Sequence, residues 1–580
     1  MNRSSRTQRL LLDRRTLLTV GATGAAAGIG AGLGLNGGAA NAGQPATAAA
    51  RAVGARNRAA RARTQAPVTR DSPVDPSPKG TTLESVATPR GSGSGYRRLG
   101  DGPGWKREVR TDLADAGRNR AEKRKPLTAF VQFTDLHVVD VQHPMRYEYL
   151  RMETPSAWRP QEALSVAGAV SLIERVNGLK GGAATGAPLS FVMTTGDNTD
   201  NNCRAELDWF LTTMSGGRIT PNTGDVDAYE GVHDSGVKLY WHPEDDLRDE
   251  DKASGFPRID GYLRAAIREI NSPGLALPWY STSGNHDTLP GGCFASDGFF
   301  ADFAVGGRKL MELQSEAEGA RLWKLVEDGG DPKGEQFKEL LRSRMRSREM
   351  RRVTPDLTRA PFSREDWVRA HMRRSNAGAG PVGHGYTEAN LAEDRLYYTF
   401  RIADGVTGIS LDTTRQDGGY PGKVGEVQLS WLKRELREQR SAGAYVLLFS
   451  HHTSTTTPEG GEELLSLLHD NPHVLAWING HSHKNKIRPR ETFWEISTAS
   501  HIDFPQLART VELADNGDGT LSLFTTLIES AAPARTDLED LSQPGLASLY
   551  RELAFNSPAD HRNLTGTPTD RNTELLLPKP

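Results

Sequence analysis

Five apolar runs, spread between residues 130 and 478, each end in a short segment rich in Asp, Asn, His and Gly. The segments are Asp135-Leu136-His137, Gly196-Asp197-Asn198, Gly284-Asn285-His286-Asp287, His451-His452 and Gly480-His481-Ser482-His483. Each run reads as a buried strand. Oxygen and nitrogen donors delivered repeatedly from strand ends are the ingredients of a site for two metal ions.

The runs in question are 130–133, 190–195, 279–283, 445–449 and 474–478. Between them, apolar spacing predicts helices over 160–177, 426–439 and 462–469; in the second, Val427, Leu429, Leu432 and Leu436 fall mainly on one side. Two hairpins are expected. One spans 396–402 and 406–411 with its turn at Asp404-Gly405; the other spans 510–528 and turns at Asn516-Gly517-Asp518-Gly519. With a further strand at 493–496, this order describes an α/β protein of layered sheets.

Length and composition set the limits around that core. A chain of 580 residues exceeds one typical domain, and a hydrophobic content of 36% implies that polar segments dilute the core. The formal net charge of −2 gives no global attraction to nucleic acid or to an anionic membrane, so no specific nucleic-acid binding is expected. Residues 1–42 read as a removed twin-arginine-type signal peptide. Arg14-Arg15 precede a mildly apolar Gly/Ala run, and Ala40-Asn41-Ala42 fits a signal-peptidase site. The expected partner is therefore the twin-arginine export machinery, with a secreted location and no membrane span in the mature chain. Residues 43–125, rich in Ala, Arg, Gly and Pro, read as a disordered linker. The domain proper is expected over 126–530, interrupted by insertions at 215–275 (loop-like) and 300–392 (charged helices over 308–327 and 335–352) that form a cap. A polar, loosely packed tail follows at 531–580.

The residue types suit phosphate-ester hydrolysis, which needs a strong nucleophile, charge neutralisation and a proton for the leaving group. Two metal ions supply the first two. Asp197, beside the small Gly196, is the candidate bridging carboxylate. Asp135 and His137 lie two apart on what reads as extended chain, so both side chains leave on one side. The same spacing projects His481 and His483 together, one toward each metal. Asn285 offers an amide oxygen and His451 another imidazole. His286 follows Asn285 directly and is the candidate proton donor. Asp200, three residues past Asp197, is placed to hold the other nitrogen of His286.

Taken in order, these motifs resemble the calcineurin-like metallophosphoesterase family. Its pattern of Asp-x-His, Gly-Asp-x-x-Asp, Gly-Asn-His-Asp/Glu, a His after a strand, and Gly-His-x-His stands here in full over roughly 126–530. The resemblance implies a four-layer α-β-β-α sandwich of two mixed sheets. It implies one metal on Asp135, His137, Asp197 and His483, a second on Asp197, Asn285, His451 and His481, and His286 as general acid. A bridging hydroxide would then attack a phosphodiester; a phosphomonoesterase or nucleotidase of the same fold, or a non-catalytic metal-binding scaffold, are the alternatives. The purple acid phosphatases carry a Tyr where this chain has Asp200, so the two divalent or trivalent ions are expected to be Mn, Fe or Zn without tyrosinate. The motifs, together with residues 497–506, are also similar to an actinobacterial subgroup of secreted metallophosphoesterases.

Several features keep two readings. His451 is chosen as ligand over its neighbour His452, which is alternatively a contact to substrate phosphate. Cys203 and Cys293 follow metal motifs by equal intervals and are either a disulfide bracing the site or two buried thiols. His384 and His501 are either rim contacts or packed histidines. The arginines between 342 and 352 are either an anion-attracting patch or a solvated face. Asp518-Gly519 is hairpin chemistry, without the spacing of a calcium loop.

Overall fold

A computed structural model describes residues 72–558 and 564–580. Two mixed sheets carry the fold. The seven-stranded sheet runs, in spatial order, Glu108–Arg110, Thr573–Pro578, Thr520–Ile528, Ala508–Asp515, Lys125–Phe133, Leu189–Thr195 and Trp279–Thr282. The six-stranded sheet runs Tyr398–Ala403, Val406–Ser410, Tyr445–Phe449, Val474–Asn479, Phe493–Ser497 and Lys486–Arg490. Each sheet contains a parallel block: 125–133 with 189–195 and 279–282 at one end of the first, and 406–410 with 445–449, 474–479 and 493–497 in the middle of the second. Such strands are covered on both faces, which is why they read as unbroken apolar runs such as Tyr445–Phe449, not as alternating ones.

The sheets meet face to face. Phe130 packs edge-on against Phe449 with ring centroids 5.7 Å apart, and Phe191 against Phe400 at 5.6 Å. Polar groups also cross the seam: Gln132 Nε2 donates to Asn479 O at 2.9 Å, and Thr282 Oγ1 lies 2.8 Å from Ser410 Oγ. Helices Ser165–Gly178, Arg204–Ser215 and Gln543–Asn556 pack with the seven-stranded sheet, where Gly168 admits the Tyr550 ring. Helices Glu426–Ser441 and Gly461–His469 cover the six-stranded sheet through Trp431, Leu432, Leu436, Leu464 and Leu468. The four-layer α-β-β-α arrangement is thus the observed one.

Both edges of the domain differ from the sequence expectation. Within the segment expected as a disordered linker, residues 85–89 and 99–103 form a two-stranded ribbon, and 108–110 pair in parallel with 573–578. Thr82 Oγ1 donates to Leu527 O and Asn572 Oδ1, and the buried Glu552 carboxylate takes Arg98 and the Leu99 N–H. This stretch docks by these polar contacts and by Ala87 and Leu99 on Phe504 and Ala554, a surface made elsewhere that local composition cannot register. Residues 1–71, with the expected signal peptide and the start of the linker, lie outside the described residues. The tail is not loose either: residues 543–556 form a helix that buries Leu546, Leu549, Tyr550 and Leu553, and Thr573–Pro578 completes the sheet beside 520–528. In the second insertion, residues 308–310 and 350–352 are not helical. They pair as a short antiparallel ribbon, with the helices restricted to Glu316–Glu327 and Glu335–Arg344. Ser315 caps the first of these at Glu318 N, which sets its start eight residues later than spacing alone suggested. This insertion contributes Phe300, Phe337 and Leu340 to a separate apolar core with Phe294, Met145, Tyr149 and Leu150. The first insertion is likewise structured, with 217–219 paired to 270–272 and Trp241 and Tyr262 fully buried.

Truncation after residue 530 would leave strand 520–528 an open edge and strip helix 165–178 of its partner. The expected outcome is aggregated protein on size-exclusion chromatography. A soluble monomer with an unchanged near-ultraviolet circular dichroism spectrum would contradict this packing.

Candidate metal centre

Five parallel strands drawn from both sheets end on one rim, and each delivers its motif two or three residues later: Asp135 after Phe133, Asp197 after Thr195, Asn285 after Thr282, His451 after Phe449 and His481 after Asn479. This is the carboxyl edge at which open α/β sheets collect ligand groups. The loops are laced to one another there. Asp135 N and His137 N donate to Gly196 O and Asp197 O, Gly480 N donates to His451 O, and His481 N donates to Asp135 Oδ2.

The backbone is not extended where the donors sit. Asp135, His137, Asp197, His481 and His483 have φ of 51°, 42°, 49°, 61° and 52°, so five of the seven expected donors are left-handed. Asp135 and His137 therefore share a side through a tight reversal and not through strand alternation. Each such residue costs on the order of 1–3 kcal/mol and persists because the surroundings over-determine it. Two glycines make the crowding possible: a Cβ at Gly284 would strike the Asp197 carboxylate, and one at Gly480 would strike Thr134 and Asp135.

All seven expected donors converge, in two groups. In the first, Asp135 Oδ1 lies 3.3 Å from His483 Nε2, His483 Nε2 lies 3.3 Å from His137 Nε2, and His137 Nε2 lies 3.7 Å from Asp197 Oδ2. In the second, His451 Nε2 lies 3.0 Å from that same Asp197 oxygen, 3.1 Å from Asn285 Oδ1 and 3.2 Å from His481 Nδ1. Asn285 Oδ1 is also 3.2 Å from His481 Nδ1, while its Nδ2 donates to Gly292 O, which fixes the amide's orientation. Asp197 Oδ2 is the atom common to both groups.

The donor chemistry fits cations. His137 and His483 turn Nδ1 to the carboxylates of Asp200 (2.9 Å) and Asp503 (2.6 Å), and His451 turns Nδ1 to the Thr195 carbonyl (2.8 Å). Those partners accept, so each Nδ1 carries the hydrogen and each Nε2 faces the cluster as the atom that takes up positive charge. Asp135 Oδ1 is buried with no hydrogen-bond partner. Burial opposes charge on these histidines, yet Asp197 lifts His451 to about 9, and Asp135 with Asp503 lifts His483 to about 10. His481 goes the other way, pushed well below the usual histidine range by burial and by His452 and His451. Asp197 is held well below the usual carboxylate range, its burial outweighed by His451 and His286. A buried set of this kind is stable only with added positive charge inside it.

His452 lies beside the second group, with a ring nitrogen within 4.8 Å of ligand atoms of His451 and His481. Its Nδ1 lies 2.8 Å from Thr413 Oγ1 and its Nε2 3.0 Å from Tyr420 O, and burial with the neighbouring His451 lowers it to about 3. Both His452 nitrogens are thus engaged by neighbours, whereas His451 Nε2 faces Asp197 Oδ2 and Asn285 Oδ1 directly. His286 stands at the rim, its side chain 20% exposed, with its ring 4.7 Å from that of His137. Its backbone N–H donates to Asp197 Oδ1 at 2.8 Å. The expected pairing of its ring with the Asp200 carboxylate is corrected: Nδ1 is held by the Asp200 carbonyl at 2.6 Å, and the carboxylate lies 3.9 Å away. That carboxylate is drawn off by His137 and by the buried Arg146, which also binds Glu148 and Glu162.

Sequence reasoning missed the outer ring. Asp503 and its partner Arg159 lie outside every motif, although Asp503 falls in the 497–506 segment already singled out. Arg146 offered no signal beyond its closeness to the first motif. Asp287 accepts from the N–H groups of Gly284, Asn198 and Thr199, clamping the second motif to the third; burial and the nearby Asp197 push it up to about 6. The remaining candidates resolve as structural. Cys203 and Cys293 are buried free thiols in separate apolar cores. His384 stacks on Trp279 at 3.4 Å, and His501 is buried beside Tyr550; burial lowers both to about 4. Of the arginines at 342–352, Arg344, Arg348 and Arg351 pair with Glu318, Glu349 and Asp234, and Arg342 lies over Phe299. Asp518 caps its hairpin turn through Thr520.

No family model matches the chain. A segment of 82 residues is 33% identical to a probable cyclic nucleotide phosphodiesterase of Synechococcus sp. (strain WH7803), covering 13% of this chain and 31% of that protein. The match thus spans about a third of that relative's length. Among solved structures, the chain is similar to a dimetal phosphatase from Danio rerio with a TM-score of 0.36 and 14% identity, covering 70% of this chain and 100% of that one.

Because both donor groups meet at Asp197 Oδ2, Asp197→Asn is expected to reduce bound metal from about two equivalents per chain to below one, measured by plasma mass spectrometry after dialysis. Retention of both equivalents would show that this oxygen is not shared.

Proposed function

We propose that this chain is a metal-dependent phosphoric ester hydrolase, with phosphodiesters as its preferred substrates. The observation that carries the reading is the pair of donor groups sharing Asp197 Oδ2, with a partly exposed histidine at their rim. Asp135, His137, Asp197 and His483 would hold one divalent or trivalent ion, and Asp197, Asn285, His451 and His481 the other. Bound there, two such ions supply charge neutralisation on a phosphoryl group and activation of a water nucleophile. The likeness of one segment to a probable cyclic nucleotide phosphodiesterase of Synechococcus supports diesters over monoesters.

The chain's own part is binding and proton delivery. His286 Nδ1 is committed to the Asp200 carbonyl, so Nε2 is the nitrogen free to protonate a departing oxygen. Gly292 keeps that nitrogen uncovered, since a Cβ there would strike the His286 ring. The His286 N–H on Asp197 Oδ1 fixes the acid against the shared carboxylate. Export is part of the same proposal, resting on Arg14-Arg15, on Ala40-Asn41-Ala42 and on the resemblance to secreted enzymes. Among the described residues, no helix is long and apolar enough to cross a membrane.

His286→Ala is expected to keep its metal and to lose about 10²–10⁴-fold in turnover on an alkyl phosphodiester. The loss should be smaller on bis-p-nitrophenyl phosphate, whose leaving group needs no proton. Full activity of the variant on the alkyl ester contradicts the role. Wild-type assays with p-nitrophenyl phosphate alongside separate a diesterase from a monoesterase, and no turnover on either ester points to a non-catalytic scaffold. Replacing Arg14 and Arg15 together by Lys is expected to retain the protein in the cytoplasm on fractionation; undiminished export excludes the twin-arginine route.

A further inference from the structure

The four histidine donors are not held alike. On the nitrogen turned away from the cluster, His137 meets the Asp200 carboxylate at 2.9 Å and His483 the Asp503 carboxylate at 2.6 Å. His451 meets only the neutral Thr195 carbonyl, and among the described residues no carboxylate pairs with the ring of His481. The two carboxylates are themselves anchored. Arg159 grips Asp503 through Nε at 2.6 Å and Nη2 at 3.1 Å, with Nη1 on Ser156 O at 3.0 Å. Arg146 holds Asp200 while also binding Glu148 at 3.0 Å and Glu162 at 2.6 Å. Asp503 N donates to Ser500 Oγ at 3.0 Å, which steadies its loop.

Both carboxylate-backed histidines belong to the Asp135 half. That half also has a carboxylate of its own, Asp135, besides the shared Asp197, whereas the other half adds only the neutral amide of Asn285. An anionic partner fixes the ring and makes the coordinating nitrogen a stronger donor than a carbonyl does. We propose that Asp503 and Asp200, each seated on a buried arginine, are positioning residues that make the Asp135–His137–Asp197–His483 half the tighter of two unequal metal sites. The Asn285–His451–His481 half is the exchangeable one. This rests on the two-metal reading of the centre.

The test is calorimetric titration of Mn²⁺ into the metal-stripped full-length protein. Two classes of site are expected, separated by at least about 10-fold in affinity. Asp503→Asn keeps an acceptor for His483 but removes its charge, and should weaken the tight class by about 10- to 100-fold while leaving the weak class in place. Should that variant fail to fold with Arg159 unpaired, Asp200→Asn carries the test, because Arg146 keeps Glu148 and Glu162. Thermal unfolding of each variant confirms that it is folded. Two equivalent sites in the wild type, or equal weakening of both classes in either variant, overturns the inference. Ester hydrolysis by the same wild-type preparation reads the functional proposal separately. An active enzyme with equivalent sites sinks only the inequality, and unequal sites without turnover sink only the hydrolase reading.

Discussion

The structure is organised around a buried concentration of lone pairs that calls for positive charge, from protons or from metal ions. Asp197 Oδ2 lies 3.0 Å from one imidazole nitrogen and 3.7 Å from another, and Asp135 Oδ1 is buried without a hydrogen-bond partner. These atoms come from loops of both sheets, so the centre is also where the two halves of the sandwich are tied. His481 N on Asp135 Oδ2 and His451 Nδ1 on Thr195 O each cross that seam. Left-handed backbone at five donor positions is tolerated because these cross-sheet bonds and the paired loops leave no alternative course.

Around the donors lies a ring of buried ion pairs. Arg146 joins Asp200, Glu148 and Glu162, and Lys309, fully buried, joins Glu148 and the Val141 carbonyl. Lys309 belongs to the ribbon of the second insertion, so that insertion reaches the donor His137 through Glu148, Arg146 and Asp200. Ion pairs buried this deeply contribute little net stability, but losing one partner strands the other at a cost of about 3–5 kcal/mol. Their value here is geometric: they hold imidazole rings and one ribbon of the second insertion in a single arrangement.

Much of this was legible in the sequence, and the failures have physical reasons. The central strands were readable because parallel strands buried on both faces leave apolar runs, as in Tyr445–Phe449 and Val474–Asn479. The donors were readable because ligand atoms must follow strand ends directly. The His137–Asp200 pairing was not, since Arg146, 54 residues from Asp200 in sequence, decides where that carboxylate points. Asp503 was not, because one carboxylate far from the motifs carries no spacing signal. Strand 573–578 and the ribbon at 85–103 were missed for a different reason: they acquire structure from the surfaces they join, and composition describes only their own residues.

The central claim is that the two donor groups hold two ions sharing Asp197. Anomalous diffraction at the metal edge, from crystals of the protein as purified, tests it most directly. The account predicts two peaks about 3.5–4 Å apart. One should lie among Asp135, His137, Asp197 and His483, and the other among Asp197, Asn285, His451 and His481. No peak, a single peak, or a second metal held by His452 in place of His451 would contradict it.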